Sequence, residues 1–237
     1  MTNSTTICSV VYNDNKTNLF DLMVRSVLKY TQDAPQFIVC DNGMSDMGKY
    51  SGLNNFNIVK NISSSKGSLQ HGESLNKIIS LSNTQYTAII ESDCVVLSNK
   101  WNSINNYKMM AALKANGLYH VCFMVFETEL LHKIDFRPGK TNIINRSYQP
   151  QEDVGWRIAK FVSQNEIKTI DFVDCKSGKG KIFDSGFQSD EYWLDGEPIA
   201  AHFGRGSNLV GKAIKKNFCS PHKQLIKWKQ ISENIIK

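Results

Sequence analysis

Strand-like and helix-like segments alternate in the first part of the chain, and this alternation restricts the fold more than any other feature. The segment 6–12 has a continuous apolar strand pattern, and in 18–30 apolar residues recur every three or four positions, as on one face of a helix. Further strand patterns follow at 36–40, 57–60 and 88–97, with a second helical pattern at 71–82. The order β-α-β-β-α-β predicts an α/β fold with a mixed, mostly parallel sheet flanked by helices.

The second half of the chain has a less regular pattern. Strand patterns lie at 119–126, 167–173 and 199–203, helical patterns at 128–134 and 152–162, and an irregular stretch at 136–150. A last helical pattern begins at Ser220-Pro221, a capping residue followed by proline in the first turn. No repeat or linker separates these segments, so we expect one domain at 1–211 and a basic helical tail at 212–237.

The tail supplies the whole net charge of +6. From Lys212 onward there are seven Lys and one Glu, whereas the preceding residues carry 21 basic and 21 acidic side chains. Such a tail favours a polyanionic partner, either nucleic acid, an anionic membrane surface or an acidic glycan. The common structural alternative is a helix that packs its apolar side on the domain and turns its lysines to water.

Cysteine usage and hydropathy bear on the location of the protein. The six cysteines are widely spaced and include no C-x-x-C pair, which favours reduced thiols over disulfides or a zinc site. No apolar run is long enough to span a membrane. The first residues show neither the basic nor the apolar region of a secretory signal. The sequence therefore predicts a cytoplasmic protein without a transmembrane segment.

Acidic and polar residues follow or interrupt three of the predicted strands. Asn13 follows the first strand, Asp41 and Asn42 follow the second, and Glu91-x-Asp93 interrupts the apolar run at 88–97. Open α/β sheets bind ligands outside the carboxyl ends of their strands. On an extended chain, side chains two residues apart point to the same side, and oxygen ligands together with phosphates suit Mg²⁺ or Mn²⁺. A nucleotide with a bound cation fits this pattern, and so does a solvated loop that carries the two carboxylates.

Four segments, in this order, resemble the nucleotide-sugar half of family 2 glycosyltransferases, which have the GT-A fold. They are ICSVVYND, FIVCDNGMSD, HGESLNKII and AIIESDCVVLSNKW. The resemblance extends to short motifs: DNGMSD at 41–46 is similar to D-[ND]-[GN]-S-x-D, ESD at 91–93 to the metal-binding D-x-D, QED at 151–153 to an E-D at a helix start, and HFGRGS at 202–207 to H-x-x-G-x-S. Two departures are the Glu in place of the first D of D-x-D and the lack of an evident Q-x-x-R-W helix.

The resemblance implies a metal-dependent, inverting glycosyltransferase that moves a sugar from a nucleotide-sugar, such as a UDP-sugar, to an acceptor hydroxyl. It implies that Asp93 and His202, with Glu91, hold Mn²⁺ or Mg²⁺, and that Asp153 is the catalytic base, ionised at a helix start. The implied nucleotide-sugar contacts are Tyr12, Asn13, Asp41, Asn42, Gly72, Asn76 and Ser92. Residues 1–101 would form the nucleotide-sugar-binding half, and 102–211 the acceptor half.

The acceptor and the class of activity stay open at this point. The basic tail suits a cell-surface or lipid-linked glycan, and also hydroxymethylated bases of phage-type DNA. A sugar nucleotidyltransferase would need a Gly-rich basic loop after the first strand, which Tyr12-Asn13 does not begin. A non-catalytic nucleic-acid-binding protein would not need Asp93, Asp153 and His202 together. Taken singly, Asp153 could cap a helix and His202 could be a core histidine.

Overall fold

The computed structural model describes residues 5–12, 17–43, 46–61, 64–139, 153–162, 166–174, 180–183, 189–204 and 221–237. The strands are β1 (Thr5–Val11), β2 (Gln36–Asp41), β3 (Phe56–Lys60), β4 (Tyr86–Ile90), β5 (Cys94–Val96), β6 (Met109–Leu113), β7 (Tyr119–Glu127), β8 (Ile167–Asp174), β9 (Ser189–Leu194) and β10 (Glu197–Phe203). The helices are α1 (Leu19–Tyr30), α2 (Gly67–Ile79), α3 (Thr128–Leu131), α4 (Ile158–Phe161) and α5 (Pro221–Ile236). A 3-10 turn occupies Gly48–Tyr50.

These strands form one mixed sheet in the order β3-β2-β1-β4-β7-β6-β8-β9-β10-β5. The pairs of β1 with β2, β1 with β4, and β2 with β3 are parallel. Beyond β4 the pairs are antiparallel, except for β6 with β8. The α/β fold with a mixed sheet is thus confirmed, but the prediction that it is mostly parallel is wrong. Parallel neighbours need long crossover connections, whereas the second half joins β6 to β7 and β9 to β10 by tight turns.

Both faces of the sheet are buried, because alternate residues of each strand meet different helices. On one face Ile7 lies in a cluster with α1 residues such as Phe20 and Val27. On the other, Cys8 lies in a cluster with Leu75 and Ile78 of α2. This double burial explains why the first strands read as continuous apolar runs rather than alternating ones.

Several elements differ from the sequence-based expectation. The apolar run at 88–97 is two strands, β4 and β5, separated by the turn at 91–93. Strands β6 and β9 were not predicted, and the helix expected at 152–162 is a turn followed by the short helix α4. Helix α2 spans Gly67–Ile79, so both of its ends lie earlier in the chain than those of the helical pattern predicted at 71–82.

The C-terminal helix α5 packs against the sheet domain. Trp228 is fully buried, with its ring centroid 5.1 Å from that of Phe183 and 5.3 Å from that of Phe203. At the polar edge of the helix, Arg25 donates to Glu233 at 3.1 Å, and Lys229 donates to the carbonyl of Thr17 at 3.0 Å. The apolar side of α5 is therefore used within the protein, which favours the structural alternative for the tail over insertion of this face into a membrane. Across the described residues, no helix combines the length and hydropathy that crossing a bilayer requires.

Candidate active site

A cavity of about 720 Å³ opens between the end of β1, the start of α2, the turn after β4 and the β6–β7 hairpin. The structure brings five of the predicted site residues to its wall: Tyr12, Glu91, Ser92, Asp93 and Asp153. The remaining wall comes mainly from α2, through His71, and from the strand start at His120 and Cys122. His202 lies immediately behind the carboxylates. The cavity therefore has a strongly acidic side, formed by the turn at 91–93.

The turn at 91–93 is fixed on both sides by backbone hydrogen bonds. The amide of Glu91 donates to the carbonyl of Cys122 at 3.0 Å, and the amide of Phe203 donates to the carbonyl of Asp93 at 2.8 Å. The chain thereby leaves β4, in the middle of the sheet, and enters β5, which pairs with the last strand β10. The register of that pair sets His202 opposite Cys94, so the imidazole arrives beside the preceding carboxylate.

Glu91, Asp93 and His202 form a compact donor set. Their ligand atoms all lie within 4.8 Å of one another. Nε2 of His202 is 3.3 Å from Oδ1 of Asp93 and 3.8 Å from Oε2 of Glu91. Two carboxylates and one imidazole match the donor types that Mn²⁺ accepts, so the residues fit a divalent cation.

The electrostatics of this set reflect its crowding. Burial alone would raise the pKa of Glu91, but the neighbouring imidazoles, first among them His71 at 3.4 Å, outweigh it and lower that pKa to about 2. Burial alone would lower the pKa of His202, but the adjacent thiol and carboxylate groups outweigh it and raise that pKa well above its usual value. Glu91 is thus held ionised, and positive charge on His202 is favoured beside it.

Asp190 and His120, which the sequence did not single out, surround His202 from within the sheet. Nδ1 of His202 lies 3.0 Å from the Asp190 carboxylate, which leaves Nε2 directed at Asp93. A carboxylate behind a histidine in this way fixes its ring orientation and tautomer. Burial lowers the pKa of His120 well below its usual value, and Nδ1 of this neutral imidazole lies 2.6 Å from the Tyr192 hydroxyl.

The dipeptide Asp195-Gly196 is a local sequence signal for the hairpin that positions Asp190. Asp195 and Gly196 both have positive φ, at 51° and 78°, as a two-residue hairpin turn requires. That turn places β9 against β10. The register that pairs Asp190 with His202 also depends on an irregularity between Pro198 and Ala200, which no sequence pattern reveals.

Two buried polar atoms near the carboxyl ends of β1 and β2 lack hydrogen-bond partners among the described residues, namely the hydroxyl of Tyr12 and Nδ2 of Asn42. Tyr12 lies on the cavity wall, whereas Asn42 does not. The Tyr12 ring stacks on His71 with centroids 6.1 Å apart, while Oδ1 of Asn42 accepts from Ser74 at 2.9 Å. Asp41 lies at the same end of the sheet, where it accepts from the amide of Gly43 at 3.1 Å. Asn13 lies outside the described residues.

Gly72 and Asn76 have a different position from the one implied by the resemblance. A Cβ at Gly72 would lie 2.6 Å from the carbonyl oxygen of Phe136. The Asn76 amide donates to Asp135 at 2.8 Å and accepts from the amide of Phe136 at 2.9 Å. Both residues of α2 therefore hold the segment 135–136, and neither is on the cavity wall.

Asp153 is an exposed residue of the cavity wall. Its carbonyl accepts from the amide of Trp156 at 3.0 Å, and its carboxylate accepts from the amide of Val154 at 2.8 Å. The expected helix start is corrected here, because α4 begins only at Ile158. The Asp153 carboxylate therefore contacts solvent and this local amide, and it does not lie at the N-terminus of a helix.

Comparisons with known proteins agree with this architecture at the level of the fold. No protein-family model matches the sequence, and none of the curated proteins matches it. Among solved structures, S. aureus TarS 1-349 in complex with UDP-GlcNAc aligns with 98% of this chain and 73% of its own, at 12% identity and a TM-score of 0.50. The mannosyltransferase PcManGT from Pyrobaculum calidifontis, in complex with GDP-Man and Mn²⁺, aligns over 54% of this chain and 46% of its own, at 14% identity and a TM-score of 0.42. The chain thus spans less than half of that mannosyltransferase. The similarity to TarS over nearly the whole chain shows a GT-A-type α/β fold.

Proposed function

We propose that this chain is a metal-dependent, inverting glycosyltransferase that transfers a hexosyl or pentosyl unit from a nucleotide-sugar to an acceptor hydroxyl. The observation that carries the proposal is the meeting of Glu91, Asp93 and His202 at one end of a cavity whose wall also holds Tyr12 and Asp153. The GT-A-type fold supports it, because TarS and PcManGT are solved with UDP-GlcNAc and with GDP-Man and Mn²⁺.

Asp93 and His202, with Glu91, would hold the divalent cation. Asp93 is only 3% exposed and cannot turn away to water, so its carboxylate is held where a cation and a diphosphate would meet. When bound, the cation would stabilise the negative charge that develops on the nucleoside diphosphate leaving group. Asp190 would keep Nε2 of His202 pointed at the cation by accepting from Nδ1.

The nucleoside would lie along the end of the parallel strands. A buried polar group without a partner is costly, and the Tyr12 hydroxyl and the Asn42 amide could both be satisfied by a base or ribose. Burial, helped by Glu91, raises the pKa of Tyr12 to about 12 against the opposing influence of Asn42, so the phenol stays a neutral donor. Asp41 and Ser92 complete this side of the proposed donor site.

Asp153 would accept the proton of the attacking hydroxyl. A general base must reach its proton within hydrogen-bond distance in the substrate complex and must be ionised. Asp153 is exposed on the cavity wall, so an acceptor hydroxyl that entered the cavity could reach its carboxylate. Attack from its side, opposite the leaving group, inverts the anomeric centre.

The acceptor that we propose is a glycan hydroxyl, cell-surface or lipid-linked, in a cytoplasmic reaction. The free thiols of the described cysteines, Cys8, Cys40, Cys94 and Cys122, are compatible with a reducing compartment. The alternative acceptor is a hydroxymethylated DNA base, and the salt dependence of duplex DNA binding distinguishes the two. For a DNA acceptor, a plot of log affinity against log salt concentration should fall with a slope of about −0.9 per phosphate contact. A glycan acceptor requires no such dependence.

The decisive experiment is a screen of UDP-, GDP- and other nucleotide-sugars for donor hydrolysis with Mn²⁺, with Mg²⁺ and with EDTA. We expect one donor to be hydrolysed slowly in water and only when the cation is present. The matched control is Asp93→Asn, which should hydrolyse the same donor about a hundredfold more slowly or worse. Hydrolysis that persists in EDTA would contradict the metal assignment, and no hydrolysis of any donor would contradict the glycosyltransferase proposal.

A further inference from the structure

A second set of donor atoms lies directly behind the carboxylates. His120, Cys122 and His202 are all buried, and each presents a ligand atom within 4.8 Å of the others. His202 belongs to both sets. The same imidazole therefore stands between two chemically different environments, with carboxylate oxygens toward the turn at 91–93 and a thiol with a second imidazole toward β7.

Strand β9 holds both imidazoles through their far nitrogens. Nδ1 of His120 lies 2.6 Å from the Tyr192 hydroxyl, and Nδ1 of His202 lies 3.0 Å from the Asp190 carboxylate. Outer partners of this kind orient metal-bound histidines, and they leave the near nitrogen for the ion. These two partners, Asp190 and Tyr192, are two residues apart on β9, so their side chains face the same side of the sheet.

The near nitrogen of His120 has the spacing that a shared ion needs. Its Nε2 lies 3.5 Å from Sγ of Cys122. An ion bound tetrahedrally at about 2.0–2.1 Å from nitrogen and 2.3 Å from sulfur separates those two ligands by roughly 3.6 Å. A divalent ion bound between these two atoms in place of the thiol proton would contact both. His120 and Cys122 also line the cavity, so an ion can reach them from solvent.

We propose that His120, Cys122 and His202 form an inner site for a thiophilic divalent ion such as Zn²⁺, which shares only His202 with the outer carboxylate set. Thiolate and imidazole ligands select zinc, whereas carboxylates and water suit manganese and magnesium. The widely spaced cysteines gave no zinc signature because the ligands come from one His-x-Cys pair on β7 and a distant histidine on β10.

The shared imidazole gives the inner site a regulatory consequence. Zn²⁺ bound by His120 and Cys122 would engage His202 and withdraw it from the outer set. Inhibition by Zn²⁺ that is relieved by excess Mn²⁺ follows from this arrangement. That consequence rests on the proposed function, whereas the binding of zinc does not.

The test uses Co²⁺ as a spectroscopic probe of the full-length, metal-free protein. A thiolate ligand gives Co²⁺ an intense near-ultraviolet charge-transfer band, which we expect in the wild type and expect Zn²⁺ to abolish by displacement. Cys122→Ser should lose the band. Two controls should keep it: Cys94→Ser, which removes a neighbouring buried thiol that donates to the Cys122 carbonyl at 3.2 Å, and Asp93→Asn, which changes a ligand that belongs only to the outer set.

A wild-type protein without the band, or a Cys122→Ser variant that keeps it, would overturn the inner site. Loss of the band in Asp93→Asn would also overturn it, because the ion would then depend on the outer carboxylates. Circular dichroism checks the fold of each variant. If Cys122→Ser does not fold, His120→Gln replaces it, with an expected loss of tenfold or more in Zn²⁺ affinity and an unchanged affinity overturning the site. All these readouts need no substrate, so they remain decisive even if the glycosyltransferase proposal fails.

Discussion

The parallel and antiparallel parts of the sheet contribute to the site in different ways. The parallel part, β1 to β4, offers groups that stand just beyond strand ends, such as Tyr12 and the turn carboxylates. The antiparallel part, β7 to β10, offers His120, Asp190 and His202 from positions within strands. A charged group at a strand end breaks an apolar pattern and is visible in the sequence. A polar group within a strand merges with the ordinary alternation of the sheet.

The two parts of the sheet also differ in the role that we expect for them. The parallel part presents unsatisfied polar atoms, suited to a nucleoside, while the antiparallel part packs its donor atoms tightly around one imidazole. Changes at the unsatisfied polar atoms of Tyr12 and Asn42 should alter donor affinity. Changes around His202, including the carboxylates of the turn at 91–93, should alter the binding of the cation or the chemical step.

Asp153→Asn should lower turnover by roughly 10²–10⁴, the usual contribution of a general base. Donor affinity should stay close to that of the wild type, because the base acts on the acceptor. The measurement is single-turnover transfer alongside donor binding by calorimetry. A variant that binds the donor weakly and keeps its turnover would indicate that Asp153 contacts the donor and is not the general base.

Asp93→Asn should lower the rate by about a hundredfold or more, because stabilisation of a leaving group is typically worth several kcal/mol. The neutral amide keeps the shape of the side chain and removes its charge. Added Mn²⁺ should restore part of the rate, since affinity for the cation is what the substitution weakens. Wild-type rates in the variant at low Mn²⁺ would show that the cation is held elsewhere.

Asp190→Asn should weaken Mn²⁺ binding by about 10–100-fold, the usual effect of losing the outer partner of a metal-bound histidine. Calorimetric titration of Mn²⁺ measures this without any turnover. Activity at saturating Mn²⁺ should recover, because Asp190 positions His202 and does not itself contact the substrate.

Its neighbour Glu191 supplies a matched control on the opposite face of β9. Glu191 is fully buried, and its carboxylate accepts from the amides of Lys181, Ile182 and Phe183 and from the Trp193 indole. Glu191→Gln should lower the free energy of unfolding by about 1–3 kcal/mol, since it leaves buried donors poorly matched. It should leave Mn²⁺ affinity unchanged. If the two variants behaved alike, Asp190 would be a structural residue only.

Gly72→Ala should lower the free energy of unfolding by about 1–3 kcal/mol, the typical effect of forcing an extra methyl group into a packed site. In an exposed helix interior the same change would stabilise by about 1 kcal/mol, but here the new Cβ would lie 2.6 Å from the Phe136 carbonyl oxygen. Lys77→Ala, at an exposed position of α2, is the control. A Gly72→Ala variant with full stability and weaker donor binding would indicate that Gly72 contacts the nucleotide-sugar and is not a packing residue.

The sequence predicted the first half of the fold well because its signals are local. Apolar periodicity located β1, α1, β2, β3 and α2 within a few residues, whereas the single run at 88–97 contains the end of β4 and the whole of β5. The same periodicity failed for β6, whose Met- and Ala-rich sequence suits a helix as well as a strand, and for β9, where charged and apolar residues are adjacent. The expected helix at 152–162 was wrong for the same reason, since four apolar residues at helical spacing do not reveal that a turn interrupts them.

From the sequence alone, Glu91 and Asp93 are expected close together after a buried strand, because only Ser92 separates them. The sequence also marked His202 and Asp153 by their resemblance to motifs, without saying what lies beside them. The tertiary structure alone decided that His202 meets Asp93 at 3.3 Å and that Asp190 stands behind it. The tertiary structure also shows that Gly72 and Asn76 contact the segment 135–136, where α2 packs against it. The physical reason is that strand register and sheet curvature arise from contacts between distant segments. Pairing β5 with β10 requires the sheet to bring its last strand back to the end of β4, and no local pattern of residues encodes that closure.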